Sequence, residues 1–410
     1  MRSEKLAFAS RAFTAGNLAA SEVVCRDILD TSPRNAAALN LLGVIATRIK
    51  AVDQAAQYFR SAIGIEPQNK VLRRNMDVLA SLSRPEIGTE EPRYLVIKAW
   101  GFGFWSDISH VLGSLLLAEI TGRIPVIHLG KNSLYADETG SDVFRRHFLP
   151  ASSTSLEDLD RIEGASFFPP KWNRSNLASE NVCKWEGPGS RMGALYFLNR
   201  PETIAVSDFY VGAIYVQPWI PVCHPMHGRS LDEIHRYLMA KYLRLNSDRL
   251  SDCDAFFARH LAGAPFVALH LRGADKVLED SDVHARQQSC LAALAEIDST
   301  WRIFLMTDDA ALAGQVRARY GDRVVLTEAQ RAAGILSVHC DPSADRVKAA
   351  REVVIDTFLG ARADRFIGTG RSNVSTLIAA MKKWRPGHCW IFGDNQINER
   401  NLFIFTAGGK

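Results

Sequence analysis

The chain has 410 residues, is 47% hydrophobic, and carries 49 lysines and arginines against 45 aspartates and glutamates, a net charge of +4. That length exceeds one ordinary domain and supplies apolar residues for two or three cores; the mild charge, with no basic run interleaved with aromatics, gives no reason to expect a nucleic-acid partner. No stretch reaches transmembrane length, and the N-terminal MRSEKLAFASRAFTAGNLAAS has no continuous apolar signal core, so no membrane span and a cytoplasmic location are expected. Seven cysteines, Cys25, Cys183, Cys223, Cys253, Cys290, Cys340 and Cys389, form no CxxC pair and suit reduced thiols better than a disulfide framework.

Residues 1–84 carry a repeat. Pro33 and Pro67 lie 34 residues apart and close the similar phrases DILDTSPRN and SAIGIEPQN, which is the tetratricopeptide period. In the second copy Leu42, Gly43, Ala55, Phe59, Ala62 and Pro67 fall at the helix-packing positions; Ala9, Ser21, Cys25, Ile28 and Pro33 match more loosely in the first, and Lys70–Leu82 reads as a cap. Such a stack presents a concave face to a protein partner, or alternatively packs on the next domain or dimerises.

Residues 85–92 read as a linker, and from Arg93 the pattern changes to alternating strands and helices. RYLVIKAW predicts a buried strand, Gly101–Phe104 a tight turn, Ile108–Ile120 a helix, and RIPVIHL a second strand, together one βαβ unit. Gly101 and Gly103 stand where a strand feeds a helix, so the backbone there can approach a phosphate or sugar. Ser106 occupies the place of the third glycine of a dinucleotide fingerprint, which disfavours that alternative. Residues 136–210 read as loops and short helices around an acceptor site, and AIYVQPW, Ala213–Trp219, as a strand. Cys223, His224 and His227 lack a second ligand pair at zinc spacing and read as a loop, so no metal is assigned. Helices are expected over Leu231–Leu243 and Asp252–Leu261, the latter opening at the acidic Asp252 and Asp254.

The densest chemistry is PFVALHLRGADKVLEDSD, residues 265–282. Phe266–Leu269 predict a strand buried on both faces, and His270, Arg272, Asp275, Lys276, Glu279 and Asp280 follow at its carboxyl end, where open α/β sheets bind ligands. Beyond it, a helix over Leu291–Ile297, strands in WRIFLMTDD and DRVVLTE, and a helix over Ala349–Leu359 continue the alternation. ADRFIGTGRSNVSTLIAAMKKW then reads as strand, glycine loop (Gly368, Gly370, Ser372, Asn373) and a helix opening near Val374, the order that binds anions.

The whole predicts an α/β protein of two Rossmann-like domains facing a cleft, 93–245 on the acceptor side and 246–410 on the nucleotide-sugar side, preceded by the all-α repeats. HLRGADKVLED resembles a motif of the fucosyltransferase superfamily that includes the α-1,6-fucosyltransferases, the nodulation fucosyltransferase and the protein O-fucosyltransferases. MTDD and DTFLGARADRFIGTGRSN resemble its two following motifs, in the same order; the likeness spans about Arg93 to Trp384 and leaves out the repeats.

The resemblance implies a GT-B type, inverting, metal-independent glycosyltransferase with GDP-fucose as donor substrate, no other cofactor, and a glycan or protein hydroxyl as acceptor. Arg272 would contact the β-phosphate, with Lys276 beside the phosphates. His270 and Asp275 would hold the donor or its loop, and Glu279 or Asp280 would be the base. Asp309 would bind guanine or ribose; Ser372, Asn373 and Val374 would face the diphosphate beside Gly370, and Gly101 and Gly103 match the family's first glycine loop. Gly273 stands where relatives carry a second arginine, and Arg371 beside the glycine loop is the candidate replacement. Two alternatives stay open: another nucleotide sugar, or a non-catalytic adaptor whose transferase half has degenerated.

Overall fold

The computed structural model describes residues 2–82, 91–180, 184, 191–273, 281–332, 344–395, 399–401 and 403–406. The N-terminal segment is five helices packed as successive antiparallel neighbours: α1 (Arg2–Thr14), α2 (Leu18–Thr31), α3 (Ala36–Arg48), α4 (Val52–Ile65) and α5 (Lys70–Ala80). Asn17, Asn35 and Asn69 each cap a helix by accepting a first-turn N–H, worth about 1 kcal/mol apiece. Small residues allow the close approach: a Cβ on Gly43 would lie 2.4 Å from the Phe59 ring, and Ala38, Ala46, Ala55 and Ala62 are buried.

This segment is docked on the α/β body. Consecutive residues Leu18–Arg26 of α2 are all buried. The Glu22 carboxylate accepts from Arg26 Nε at 2.7 Å and from Trp219 Nε1 at 2.8 Å, while Arg26 donates to Tyr58. Asn199 Nδ2 donates to the Ile49 carbonyl, and the Tyr196 hydroxyl accepts from Leu18 N–H. A buried charge that meets its opposite and two further hydrogen-bond partners fixes a docking geometry more than it adds stability.

The first sheet has strand order β2-β1-β4-β3 and is wholly parallel: β1 (Tyr94–Lys98), β2 (Ile124–His128), β3 (Phe167–Phe168) and β4 (Ile204–Ser207). Helix α6 (Phe104–Thr121) joins β1 to β2, the expected βαβ unit, and α7 (Leu156–Leu159) precedes β3. The expectation of only loops and short helices over 136–210 is corrected by β4, which pairs directly with β1. Four residues are too few to show a period among irregular neighbours. A second correction is AIYVQPW: Ala213–Val216 form the helical turn α8 and Gln217–Trp219 a 3-10 turn. Its β-branched and aromatic residues favour a strand, but tertiary packing overrides that preference. The turn is wholly buried on α6, where Gly113 admits the Val211 carbonyl to within 2.0 Å of the place a Cβ would take.

Helix α9 (Leu231–Tyr242) matches its expectation, whereas α10 (Ser247–Phe256) starts earlier than predicted because Asn246 caps it. Asp252 is therefore mid-helix, pairing with Arg249 and Arg351, and Asp254 pairs with Arg362. His224 Nε2 lies 2.8 Å from Glu119 Oε2 and His227 Nδ1 2.8 Å from the Ile220 carbonyl.

The second sheet, also parallel, has the order β7-β6-β5-β8-β9, from β5 (Phe266–His270), β6 (Arg302–Met306), β7 (Val324–Val325), β8 (Arg365–Thr369) and β9 (Cys389–Phe392). Helices α11 (Val283–Ala295), α12 (Ala310–Tyr320), α13 (Arg346–Ala361) and α14 (Asn373–Met381) alternate with these strands. The order reverses between β5 and β8, so the loops leaving these neighbours diverge and leave a crevice at their carboxyl ends. Leu377 and Ala380 of α14 join the same core as Ile108 and Leu112 of α6, which closes the halves on one another. The last helix, α15 (Phe403–Thr406), returns to the first half, where Phe405 packs on Phe209 and Tyr215. Among the described residues no helix is long and apolar enough to cross a membrane.

Candidate nucleotide-sugar site

A cavity of ≈ 350 Å³ lies at the crossover point between β5 and β8, with walls from both halves. Each functional side chain is placed there by a strand end or a helix start.

Strand β5 is buried throughout and ends at His270, whose Nδ1 lies 2.7 Å from Ser375 Oγ. Burial pushes its imidazole pKa down to about 4, so the ring is neutral near pH 7 and adds no positive charge to the cavity it lines. Arg272 is held at three points. Its N–H donates to Thr369 Oγ1 at 3.0 Å, its carbonyl accepts from Gln287 Nε2 at 2.7 Å, and its guanidinium pairs with Asp308. An arginine fixed in this way presents a pre-set fork of donors, the geometry that phosphate oxygens match.

Gly273 lacks a side chain for a steric reason. A Cβ there would lie 2.7 Å from Asp309 Cβ and 2.8 Å from Asp309 Oδ2, so Asp309 fills the space a second arginine would enter. Asp309 caps α12, its Oδ1 accepting from the N–H groups of Ala311 at 2.7 Å and Leu312 at 3.0 Å. It is not among the cavity-lining residues; its neighbour Asp308 is, also accepting from Gly273 N–H at 3.2 Å. The carboxylate that lines the cavity is thus one position before the expected Asp309. At a strand-to-helix junction successive side chains point apart, one to the crevice and one back to the helix end.

The glycine loop divides in the same way. Gly370 is excluded from the lining because it serves a close backbone approach: its N–H donates to the Phe392 carbonyl at 2.7 Å, and a Cβ would lie 2.5 Å from the Gly393 carbonyl carbon. Arg371 has φ +52°, a left-handed backbone that a non-glycine residue rarely adopts, and it lines the cavity. Its Nε lies 3.5 Å from Asp394 Oδ2 in an exposed pair that holds it weakly. Ser372 precedes α14, makes no side-chain cap bond, and lines the cavity with Asn373 and Val374. The first turn of the helix thus lines the same cavity as Arg272 and Arg371, where free helix N–H groups favour an anion.

From the first half, Gly103 and Phe102 line the cavity, whereas Gly101 stands behind them. Gly101 has φ +86° and donates its N–H to Asp107 Oδ1 at 2.7 Å. Burial pushes the Asp107 carboxyl up to about 7, while the hydrogen bonds that hold the loop pull the other way. Phe102 is 45% exposed and stacks on Trp100 at 4.7 Å.

Sequence reasoning missed part of the lining. Asp356 and Glu352 of α13 line the cavity together with Gln330. Asp356 Oδ1 accepts from Thr327 Oγ1 at 2.7 Å, and burial pushes its carboxyl up to about 7. Its signal was present in EVVID, two acids four residues apart on one face of an otherwise largely apolar helix stretch. Also missed were Lys98 and Asp208, at and just past the ends of β1 and β4. Lys98 Nζ donates to the Leu177 and Ser179 carbonyls, each at 2.7 Å, and burial pushes it down to about 8; Asp208 pairs with Lys171 at 2.5 Å. Asp275, Lys276, Glu279 and Asp280 lie outside the described residues. Among the described residues no three His, Cys, Asp or Glu side chains gather to hold a metal ion.

No family model and no curated protein matches the chain. Among solved structures it is similar to the α-1,6-fucosyltransferase NodZ from Bradyrhizobium, with 19% identity, 70% of this chain and 93% of that one covered, and a TM-score of 0.48. It is similar to FUT1 of Arabidopsis thaliana in complex with GDP, with 12% identity, 87% and 80% covered, and a TM-score of 0.47. POFUT1 in complex with GDP matches with 14% identity, 74% and 99% covered, and a TM-score of 0.45.

Proposed function

We propose that the protein is an inverting, metal-independent glycosyltransferase of the GT-B type that transfers fucose from GDP-fucose to a glycan or protein hydroxyl. The observation that carries the reading is that Arg272, Arg371 and the first turn of α14 line one cavity. Two guanidinium forks and a helix N-terminus are a receptor for a diphosphate, and they stabilise charge where it develops as the diphosphate leaves. In the same cavity Asp356 and Glu352 offer carboxyl oxygens to donors on a base or ribose; guanine, with adjacent N–H groups on one edge, suits an ionised Asp356. Fucose itself is assigned by the motif resemblance.

The reaction is a single displacement. The acceptor hydroxyl loses its proton to a carboxylate, for which Glu279 and Asp280 are the candidates; its oxygen bonds to the anomeric carbon, and the bond from that carbon to the β-phosphate oxygen breaks. The electron pair leaves on GDP beside Arg272 and Arg371. We assign the five N-terminal helices to a tetratricopeptide-like module that presents the acceptor or its carrier.

The test is hydrolysis of GDP-fucose, GDP-mannose, UDP-GlcNAc and UDP-glucose in EDTA by wild type and Arg272→Ala. Turnover of GDP-fucose alone, lost in the variant, is expected. No binding or turnover across the panel by folded protein would overturn the reading in favour of an adaptor.

A further inference from the structure

We propose that a second cavity, beside the edge strand β2, is a subsite for a neutral sugar unit of an extended ligand. It measures ≈ 490 Å³. Its apolar lining comes from Pro125 and Ile127 of β2 with Phe144 and Leu156. Its charged lining is two acids, Asp142 and Glu157, and two arginines, Arg145 and Arg146. An anion site would show an excess of cations, and a cation site an excess of carboxylates. Balanced donors and acceptors with an apolar lining complement a pyranose, which has an apolar face and hydroxyls that both donate and accept.

Two of these groups are anchored at one atom and buried without a hydrogen-bond partner at another. Asp142 Oδ1 accepts from the N–H groups of Leu129 at 2.9 Å and Phe144 at 3.0 Å, while the buried Oδ2 has no hydrogen-bond partner among the described residues. Arg146 Nη2 is tied to Asp137 and Ser141, and the buried Nη1 likewise has no partner among them. Buried polar atoms left in this state are unfavourable, and a modest turn of either side chain toward a ligand hydroxyl in the cavity would relieve them. The burial that pushes the Asp142 carboxyl up to about 6 has the same origin.

The place of this cavity connects it to the first. The segment from Leu129 to Val143, closed by a Val143 N–H to Leu129 carbonyl bond of 3.1 Å, presents Tyr135 to the first cavity and Gly140, Ser141 and Asp142 to the second. A ligand engaging both must contain more than one sugar unit. Only its designation as an acceptor rests on the transferase reading.

The experiment is binding of the full chain, its first cavity saturated with GDP, to an array of neutral, sulfated and phosphorylated oligosaccharides of graded length. A neutral oligosaccharide is expected to bind, and to bind about tenfold or more weakly to Asp142→Asn, which keeps the Oδ1 acceptor. Glu157→Gln and Arg145→Met, at exposed positions that leave the core untouched, weaken it in the same direction. Binding of anionic glycans alone, of no glycan, or of a neutral glycan unmoved by all three cavity variants overturns the proposal. Glycan binding without GDP binding would instead remove the donor assignment and leave this subsite standing.

Discussion

Both sheets end in charged residues at their carboxyl edges, and the two sets have opposite fates. On the first sheet, Lys98 is consumed by two backbone carbonyls and the Trp172 ring 4.6 Å away, and Asp208 by Lys171, all in loops of the same half. On the second, Arg272 and Asp308 hold each other at the wall of a cavity, and the Arg371 side chain is held, among the described residues, by an exposed pair with Asp394. Charge at a strand end is thus available to a ligand only where the returning chain leaves it short of backbone partners. In the second sheet the reversal of strand order between β5 and β8 provides that shortage.

The contrast breaks most sharply at Arg272. Arg272→Ala is expected to lower donor turnover by about 10²–10³-fold, with Arg272→Lys intermediate because an ammonium lacks the planar fork. Steady-state kinetics on the folded variant checks this; turnover within a few-fold of wild type would put the phosphate receptor elsewhere.

Lys98→Met tests the other sheet. It leaves the buried Leu177 carbonyl and the half-buried Ser179 carbonyl without their donor, and a loss of about 1–3 kcal/mol of stability is expected with GDP affinity unchanged. Denaturant unfolding and calorimetric titration read the two quantities separately. Because the folded Lys98 pKa, about 8, lies below its ordinary value of 10.5, the unfolded chain binds more protons between these values. Its contribution to stability therefore rises with pH through that window, and the variant loses that slope.

Asp356 gives a smaller, pH-dependent effect. Its folded pKa of about 7 lies above the ordinary 3.8, so ionisation disfavours the folded state, and the stability it contributes is lost as pH rises through about 7. A ligand edge that donates to the ionised carboxylate binds better above that pH. GDP affinity is expected to rise by up to about tenfold from pH 6 to 8 in wild type and to stay flat in Asp356→Asn. A flat wild-type profile would remove Asp356 from base recognition.

The smallest expected effect is at Arg371. Arg371→Gly relieves the left-handed backbone and is expected to raise stability by up to about 1 kcal/mol while weakening GDP binding a few-fold. Unchanged GDP affinity would leave Gly273 without a compensating cation.

The sequence alone determined the alternation that builds the second sheet. Buried parallel strands read as continuous apolar runs, so β5, β6 and β8 were legible, as was the helix after the glycine loop. It also singled out Arg272, His270, Ser372 and Asn373, all of which line one cavity, since strand ends and helix starts bring such residues together wherever the topology is doubly wound. Tertiary structure decided the rest. Only packing showed that Asp308 rather than Asp309 faces the cavity, that Gly370 serves Gly393, and that Asp356 of a distant helix lines the same cavity. Only packing made a helix of Ala213–Val216 and a strand of Ile204–Ser207, because short segments take the conformation that their buried neighbours permit. Local pattern fixes which residues reach a sheet edge; the direction each side chain then takes depends on what the rest of the chain has left unpaired.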